Sequence, residues 1–227
     1  MKLLPRCVLA TMLLGLGMAP HASAQDEGRV YAGALVGVST LSADARATTQ
    51  PSRAEVSLYK PENGPALNLF VGVHLGRYVT VQSNYVWNRN DLALFSSVTA
   101  MEGGRFYKQP RTSTQHAVIG DALLYFRALE SGIRPYLSTG AGLVRVKSES
   151  TGNLVAGALP PPDGEIASTR VALRVAVGID LSMGDRWSVR YSFSETISGN
   201  PISARLTPPG ERNLANFQNL VGVVRRF

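Results

Sequence analysis

The feature that most constrains the fold is a strict two-residue alternation between Thr169 and Leu181. Every second position holds a large aliphatic residue, and the positions between hold small residues, arginine or aspartate. Alternate side chains of a strand point to opposite faces of a sheet, so one face here is aliphatic and the other polar. A membrane-crossing strand needs about 9–11 residues with that contrast. The segment is therefore typical of a transmembrane β-strand, with an aliphatic face of Val171, Leu173, Val175, Val177, Ile179 and Leu181.

Similar alternation recurs along most of the chain, and helical periodicity is hard to find beyond the N-terminal segment. With 44% hydrophobic residues the chain has enough apolar side chains for one domain. Glycine is frequent in the first, fifth and last segments, so their facing is left open. We expect eight strands, near residues 29–39, 66–75, 78–88, 115–126, 134–147, 169–181, 187–196 and 215–227.

The connections between these strands alternate in length. Short ones lie at Gly76-Arg77, at 128–133 and at 183–185, and long polar ones lie near 40–65, 89–113, 149–168 and 197–213. A soluble β-sandwich has no reason to alternate so regularly, whereas a membrane barrel has tight turns on one side and long loops on the other. The sequence therefore predicts an all-β protein, an eight-stranded antiparallel transmembrane β-barrel with short periplasmic turns and long extracellular loops.

The N-terminus has the features of an export signal. Lys2 and Arg6 precede an apolar run, and Ala22-Ser23-Ala24 supplies a small-residue cleavage site. We expect residues 1–24 to be a cleaved signal peptide, residues 25–227 to form the barrel domain, and the protein to reside in the outer membrane. The single cysteine, Cys7, lies in the signal, so the mature chain has no thiol chemistry. The net charge of +7 does not indicate nucleic-acid binding, because the arginines are scattered and an exported chain meets no nucleic acid.

These residues resemble the bacterial outer-membrane β-barrel family that includes the OmpA transmembrane domain and its small eight-stranded relatives. The segments that carry the resemblance are RPYLSTGAGL (134–143), GIDLSMGDRWSVRYSF (178–193) and the C-terminal Phe227. The resemblance implies that the barrel assembly machinery reads the strand ending at Phe227. It also implies a monomer in contact with outer-membrane lipid and lipopolysaccharide. The charged loop residues that we expect outside are Arg46, Arg53, Glu55, Lys60 and Glu62 in loop one, and Glu102, Arg105, Lys108 and Arg111 in loop two.

Polar residues on the predicted inward faces are the first candidates for function. An eight-stranded barrel is only wide enough inside for side chains, and buried charges must pair. We therefore expect a lumen plugged by side chains. A narrow pore, or a conduit for small hydrophobic molecules, is the alternative. The inward set is His74, Asp121, Arg170, Arg174, Asp180 and Arg190.

Enzymatic function has little support in the sequence. A lipid A-modifying hydrolase requires a histidine beside its serine, and the stretch 191–201 offers Ser194 and Ser198 without one. A pairing of His116 with a loop serine stays open, as does a soluble lipocalin-like barrel, which would need polar outward faces. His74 and His116 lie 42 positions apart, which is no metal-ligand spacing. We predict no catalytic, cofactor-binding or metal-binding residue, and a structural or surface-interaction role.

Overall fold

The computed structural model describes residues 29–42, 46–49, 54–59, 63–98, 105–152, 154–156, 164–202 and 213–227. The predicted signal peptide lies outside these residues. They form eleven strands of one antiparallel sheet: β1 (Val30–Ser42), β2 (Arg46–Thr49), β3 (Ala54–Tyr59), β4 (Asn63–His74), β5 (Val79–Val98), β6 (Arg105–Tyr125), β7 (Ile133–Ser150), β8 (Leu154–Ala156), β9 (Glu165–Ser182), β10 (Trp187–Gly199) and β11 (Asn213–Arg226).

Eight of these strands close into a barrel. They follow one another as β1, β4, β5, β6, β7, β9, β10 and β11, and β1 closes the ring by pairing with both β4 and β11. Closure leaves the wall without a free edge. The short β2, β3 and β8 extend the sheet beyond the barrel, since β3 pairs with β5 and β8 with β6. The prediction of an eight-stranded antiparallel barrel is confirmed. Among the described residues there is no helix long and apolar enough to cross a membrane.

Short turns at 75–78, 126–132 and 183–186 join strands at one end of the barrel. In the last of these, Gly184 has a φ of 113°, a conformation that favours glycine. Arg77 lies 3.3 Å from Glu130 of the neighbouring turn. A backbone hydrogen bond of Glu130 itself, and then the Arg77 guanidinium, lower the pKa of the Glu130 carboxyl below its usual range.

The predicted long connection at 89–113 is wrong in its bounds. β5 continues to Val98 and β6 begins at Arg105, and the two pair residue by residue over this whole stretch. The two strands continue beyond the segments predicted to face lipid, where an apolar outer face is no longer needed. The alternation by which a membrane strand is recognised therefore fades while the strand continues. Arg105 and Lys108 lie in β6, and Arg46 and Glu55 lie in β2 and β3. Arg53, Lys60, Glu62 and Glu102 lie outside the described residues.

Large apolar side chains cover the outside of the barrel. Val171 and Leu173, for example, are 67% and 60% exposed. So extensive an apolar surface is a surface for lipid, because water-soluble proteins rarely expose one. The lipid-facing belt comprises Val36, Val38, Leu69, Val71, Val81, Val118, Leu137, Leu143, Val171, Leu173, Val175, Val177, Val221 and Val223.

Glycines make room for aromatic rings inside the barrel. The Tyr31 ring of β1 lies over Gly72 of β4, and the Tyr136 ring of β7 lies over Gly178 of β9, each pair being direct register partners. A Cβ at either glycine would overlap the ring. Tyr136 is buried in the lumen, although its place near a strand end is typical of an interfacial aromatic.

Candidate functional site

The half of the lumen nearer the short turns holds a buried ion pair. Arg190 Nε and Nη2 donate to the two carboxylate oxygens of Asp180 at 2.6 and 2.8 Å. Arg190 Nη1 also donates to Gln82 Oε1 at 2.8 Å, and the Tyr125 hydroxyl donates to Asp180 Oδ2 at 2.9 Å. Both oxygens of the carboxylate are thus engaged, as a buried charge requires.

A second buried ion pair lies farther along the barrel. Arg174 Nη1 donates to Asp121 Oδ2 at 2.6 Å, and the Asn84 amide donates to the same oxygen at 3.0 Å. Arg174 Nη2 donates to the Ser194 hydroxyl at 3.2 Å. Ser194 therefore acts as a hydrogen-bond partner of a lumen arginine. Ser194, one of the two serines considered for catalysis, thus faces the interior of the barrel.

An apolar layer, not predicted from the sequence, lies in the outer part of the lumen among buried polar residues such as Asn88, Asn90 and Gln115. Its members come from several strands and are almost completely buried; they include Leu41, Val86, Leu94, Ile119, Val144, Val146, Ile166 and Leu214. Two cavities near the ion pairs enclose about 10 Å³ each. Such a volume holds about one water molecule. Side chains thus occupy both the polar and the apolar part of the described lumen.

The structure buries five of the six predicted inward residues and exposes the sixth. His74, Asp121, Arg174, Asp180 and Arg190 are all at most 5% exposed. Arg170 is exposed, and it lies beyond Ala172, the last residue of β9 that pairs with β10. The prediction that Arg170 belongs to the inward-facing set is therefore wrong.

Arg111 corrects another expectation. Predicted in an external loop, it lies in β6 and is 1% exposed. Its Nε donates to the Ser148 hydroxyl at 2.9 Å, and its Nη1 donates to Gln109 Oε1 at 2.6 Å. The continuation of β6 beyond the membrane turns this arginine to the inside of the sheet.

The histidines do not form a catalytic pair with serine among the described residues. His74 Nδ1 lies 2.8 Å from the Thr80 hydroxyl, inside the barrel. His116 lies on the outside, with its Nδ1 2.7 Å from the Tyr85 hydroxyl. The described part of the chain also contains no cluster of three His, Cys, Asp or Glu side chains that could hold a metal ion.

A basic groove, the outer groove, lies on the outside of β5, β6 and β7. Arg89, Thr114 and Lys147 stand side by side across the three strands, and Trp87, His116 and Arg145 form the adjacent row. The groove encloses about 450 Å³ and is lined by Arg89, Thr112, Thr114, His116, Arg145, Lys147, Glu149, Ser150 and Thr151. Its cations come from three strands, so their proximity can be recognised only when the register of these strands is known.

The outer groove borders the lipid-facing belt. Two residues from His116 and Arg145 along the same outward faces stand Val118 and Leu143, which are 42% and 55% exposed. Lys147 Nζ forms an ion pair with Glu149 and lies 3.6 Å from Glu165. Arg89 and Arg145 therefore supply most of the free positive charge of this surface.

The sequence profile described as outer membrane protein β-barrel domain matches residues 9–227. The chain belongs to this family. The predicted family and barrel architecture are thereby confirmed, and family membership implies location in the outer membrane. In an outer-membrane barrel the short turns face the periplasm and the long connections face outward. The outer groove therefore lies on the external side, and the Arg190–Asp180 pair lies near the periplasm.

One solved structure supports the same fold, and two others have lower similarity. The barrel is similar to Neisserial surface protein A, with a TM-score of 0.52 and 13% identity over 87% of this chain and 97% of that one. It is less similar to Ail, the attachment invasion locus protein of Yersinia pestis, with a TM-score of 0.45 and 13% identity over 88% and 99%. OprG of Pseudomonas aeruginosa gives 0.42 and 12% over 88% and 97%. No curated protein matches the chain in sequence. At these identities the likeness to the Neisserial protein shows the fold alone.

Phe227, the residue predicted to be read by the assembly machinery, lies at the periplasmic end of this family barrel. Its ring is 55% exposed, and its N–H donates to the carbonyl of Val30 at 2.9 Å. The Arg225 guanidinium lies 5.1 Å from the Phe227 ring and 5.4 Å from the Trp187 ring. Recognition of this strand by the machinery and cleavage after Ala24 stay predictions.

Proposed function

We propose that this protein is a non-enzymatic, plugged outer-membrane barrel that binds the phosphates of lipopolysaccharide in the outer groove. The observation that carries the proposal is the position of Arg89, Arg145 and Lys147, on the outside of the wall directly beyond the lipid-facing belt. The role is thus a surface interaction with the outer leaflet, and no reaction is involved.

The groove suits the head group of this lipid. The phosphates of lipid A lie between its acyl chains and the outer sugars of the lipopolysaccharide. The border between the lipid-facing belt and the outer groove lies at the same level relative to the membrane. Guanidinium groups bind phosphate through paired, charge-assisted hydrogen bonds. Hydroxyls of the kind that bind sugars line the same groove, from Thr112, Thr114, Ser150 and Thr151. A volume of about 450 Å³ is within the range of small-molecule sites.

The alternatives have weaker support. A conduit through the lumen would require displacement of the ion pairs and of the apolar layer around Ile119, which is completely buried. A lipid A-modifying enzyme would require a serine beside His116, whose ring instead contacts the Tyr85 hydroxyl. Both observations favour a plugged, non-enzymatic barrel.

The test is binding of purified lipopolysaccharide to the folded barrel in detergent, for the parent and for the Arg89→Gln, Arg145→Gln double variant. We expect the double variant to bind about tenfold more weakly, the factor that corresponds to the loss of exposed charge-assisted contacts. Raising the salt concentration should weaken parent binding and have less effect on the variant.

Matched controls are Arg127→Gln and Arg186→Gln, which remove exposed arginines from the periplasmic turns. Both should bind like the parent. If the double variant binds within twofold of the parent, or if the controls lose affinity equally, the outer groove is not the binding site. Unboiled and boiled samples compared by gel electrophoresis in detergent would verify that each variant is folded.

A further inference from the structure

The lumen contains a second feature, at its periplasmic mouth. A small cavity there is lined by His74, Arg134, Asp180, Ser188, Arg190 and Arg226, among others. Ser188 is the second residue of β10, directly after the turn 183–186, and Arg226 is the last residue of β11. The cavity encloses about 10 Å³, space for one small species.

Arg134 is a buried cation with unused donors in this cavity. It is 4% exposed, and neither its Nε nor its Nη2 has a hydrogen-bond partner. Its guanidinium carbon lies 3.7 Å from the centre of the Tyr125 ring, a contact that fixes the plane of the group without using its N–H donors. Buried donors without partners are rare in native proteins, so these two N–H groups indicate that a small species is bound in the cavity.

The carboxylate opposite does not satisfy Arg134. Asp180 is its register partner in β9, but the two oxygens of Asp180 accept hydrogen bonds from Arg190 and Tyr125. Three arginines therefore face the cavity with a single carboxylate. Arginine does not lose its proton in proteins, so this excess charge cannot be removed by titration. An isolated buried charge is very costly, and an anion is what remains to neutralise it.

We propose that this cavity is a binding site for a small monovalent anion of the halide class, held by Arg134 Nε and Nη2 at the periplasmic mouth of the plug. Its size selects a monatomic ion over phosphate or a carboxylate. The Ser188 hydroxyl, on a residue that is 7% exposed, supplies a further donor at the same cavity. Chloride would then be a structural component of the plug that closes the barrel toward the periplasm.

The first experiment uses the folded protein crystallised from bromide in place of chloride. The expected result is an anomalous peak within hydrogen-bond distance of Arg134 Nε and Nη2. Water at that position without anomalous signal would overturn the proposal. This measurement needs no variant, so it decides the question even if a substitution impairs folding.

The second experiment follows unfolding of the parent in detergent as chloride replaces gluconate at constant ionic strength. Because a ligand of the folded state stabilises by mass action, each tenfold rise in chloride above Kd should raise the folded-to-unfolded ratio about tenfold. Arg134→Met, which keeps the length and removes the charge, should abolish this response. Arg77→Gln, at an exposed turn position, should keep it. An equal chloride response in the parent and Arg134→Met would refute the site.

Discussion

Replacing Asp180 by asparagine keeps the shape of the side chain and removes the charge that pairs with Arg190. The carboxylate accepts three hydrogen bonds at 2.6, 2.8 and 2.9 Å, two of them from the guanidinium. The new amide places an NH2 group against donors and leaves a completely buried arginine without its anion. Removing one partner of a buried pair costs about 3–5 kcal/mol, a large share of a typical stability of about 5–15 kcal/mol.

The assay is urea unfolding of the barrel in lipid vesicles, read as the fraction that keeps the mobility of the folded form on unboiled gels. With a slope of about 1–3 kcal/mol/M, the Asp180→Asn midpoint should fall by about 1–5 M. The decisive comparison is the double variant Asp180→Leu, Arg190→Met, which replaces both charges by apolar groups. It should recover most of the loss, since a buried ion pair stabilises little relative to apolar residues of similar volume. A midpoint for Asp180→Asn within 0.5 M of the parent, on the scale of that slope, or a double variant no more stable than the single one, would refute this reasoning.

Three further outcomes follow from the geometry of the wall and plug. Gly178→Ala should lower the unfolding free energy by about 1–3 kcal/mol because its Cβ would overlap the Tyr136 ring, whereas Gly120→Ala, with nothing within 4 Å, should unfold with the parent. Val175→Arg should destabilise the barrel in vesicles by about 2–4 kcal/mol, as a charge in the lipid-facing belt, and an equal effect in lipid-free detergent would contradict that cause. Ile119→Ala, at a completely buried position of the apolar layer, should cost about 2–5 kcal/mol in urea unfolding; a negligible change would mean that this layer is not packed.

The sequence predicted the barrel well because lipid imposes a simple pattern. Wherever a strand faces lipid on one side, as at Val171 to Leu181, apolar and polar residues must alternate. The alternation identifies the strand and also the face that points to lipid. That constraint ends where the membrane ends. The outer parts of β5 and β6 lie beyond the lipid-facing belt and show no regular alternation, so the sequence alone suggested a loop, and Arg111 was placed outside when it is buried.

The candidate sites were less predictable because they depend on register and depth. Arg170 and Arg174 share one face of β9, but one is exposed and the other buried, and β9 pairs with β10 at Arg174 and no longer at Arg170. The outer groove combines Arg89, Arg145 and Lys147 from three strands, and the register between these strands cannot be read from the sequence of any one of them. The apolar layer around Ile119 also escaped notice, because a strand with apolar residues on both faces shows no alternation.

The length of β5 has a consequence for what can reach this protein from outside. Beyond Tyr85, near the upper border of the lipid-facing belt, the strand continues to Val98. At about 3.3 Å per residue and a tilt of roughly 40°, that extension stands about 30 Å above the membrane surface. The far ends of β5 and β6 thus stand well above the membrane surface, while the outer groove lies close to it. A bulky reagent such as an antibody or a protease is expected to reach the far ends of these strands more easily than the groove beside the membrane.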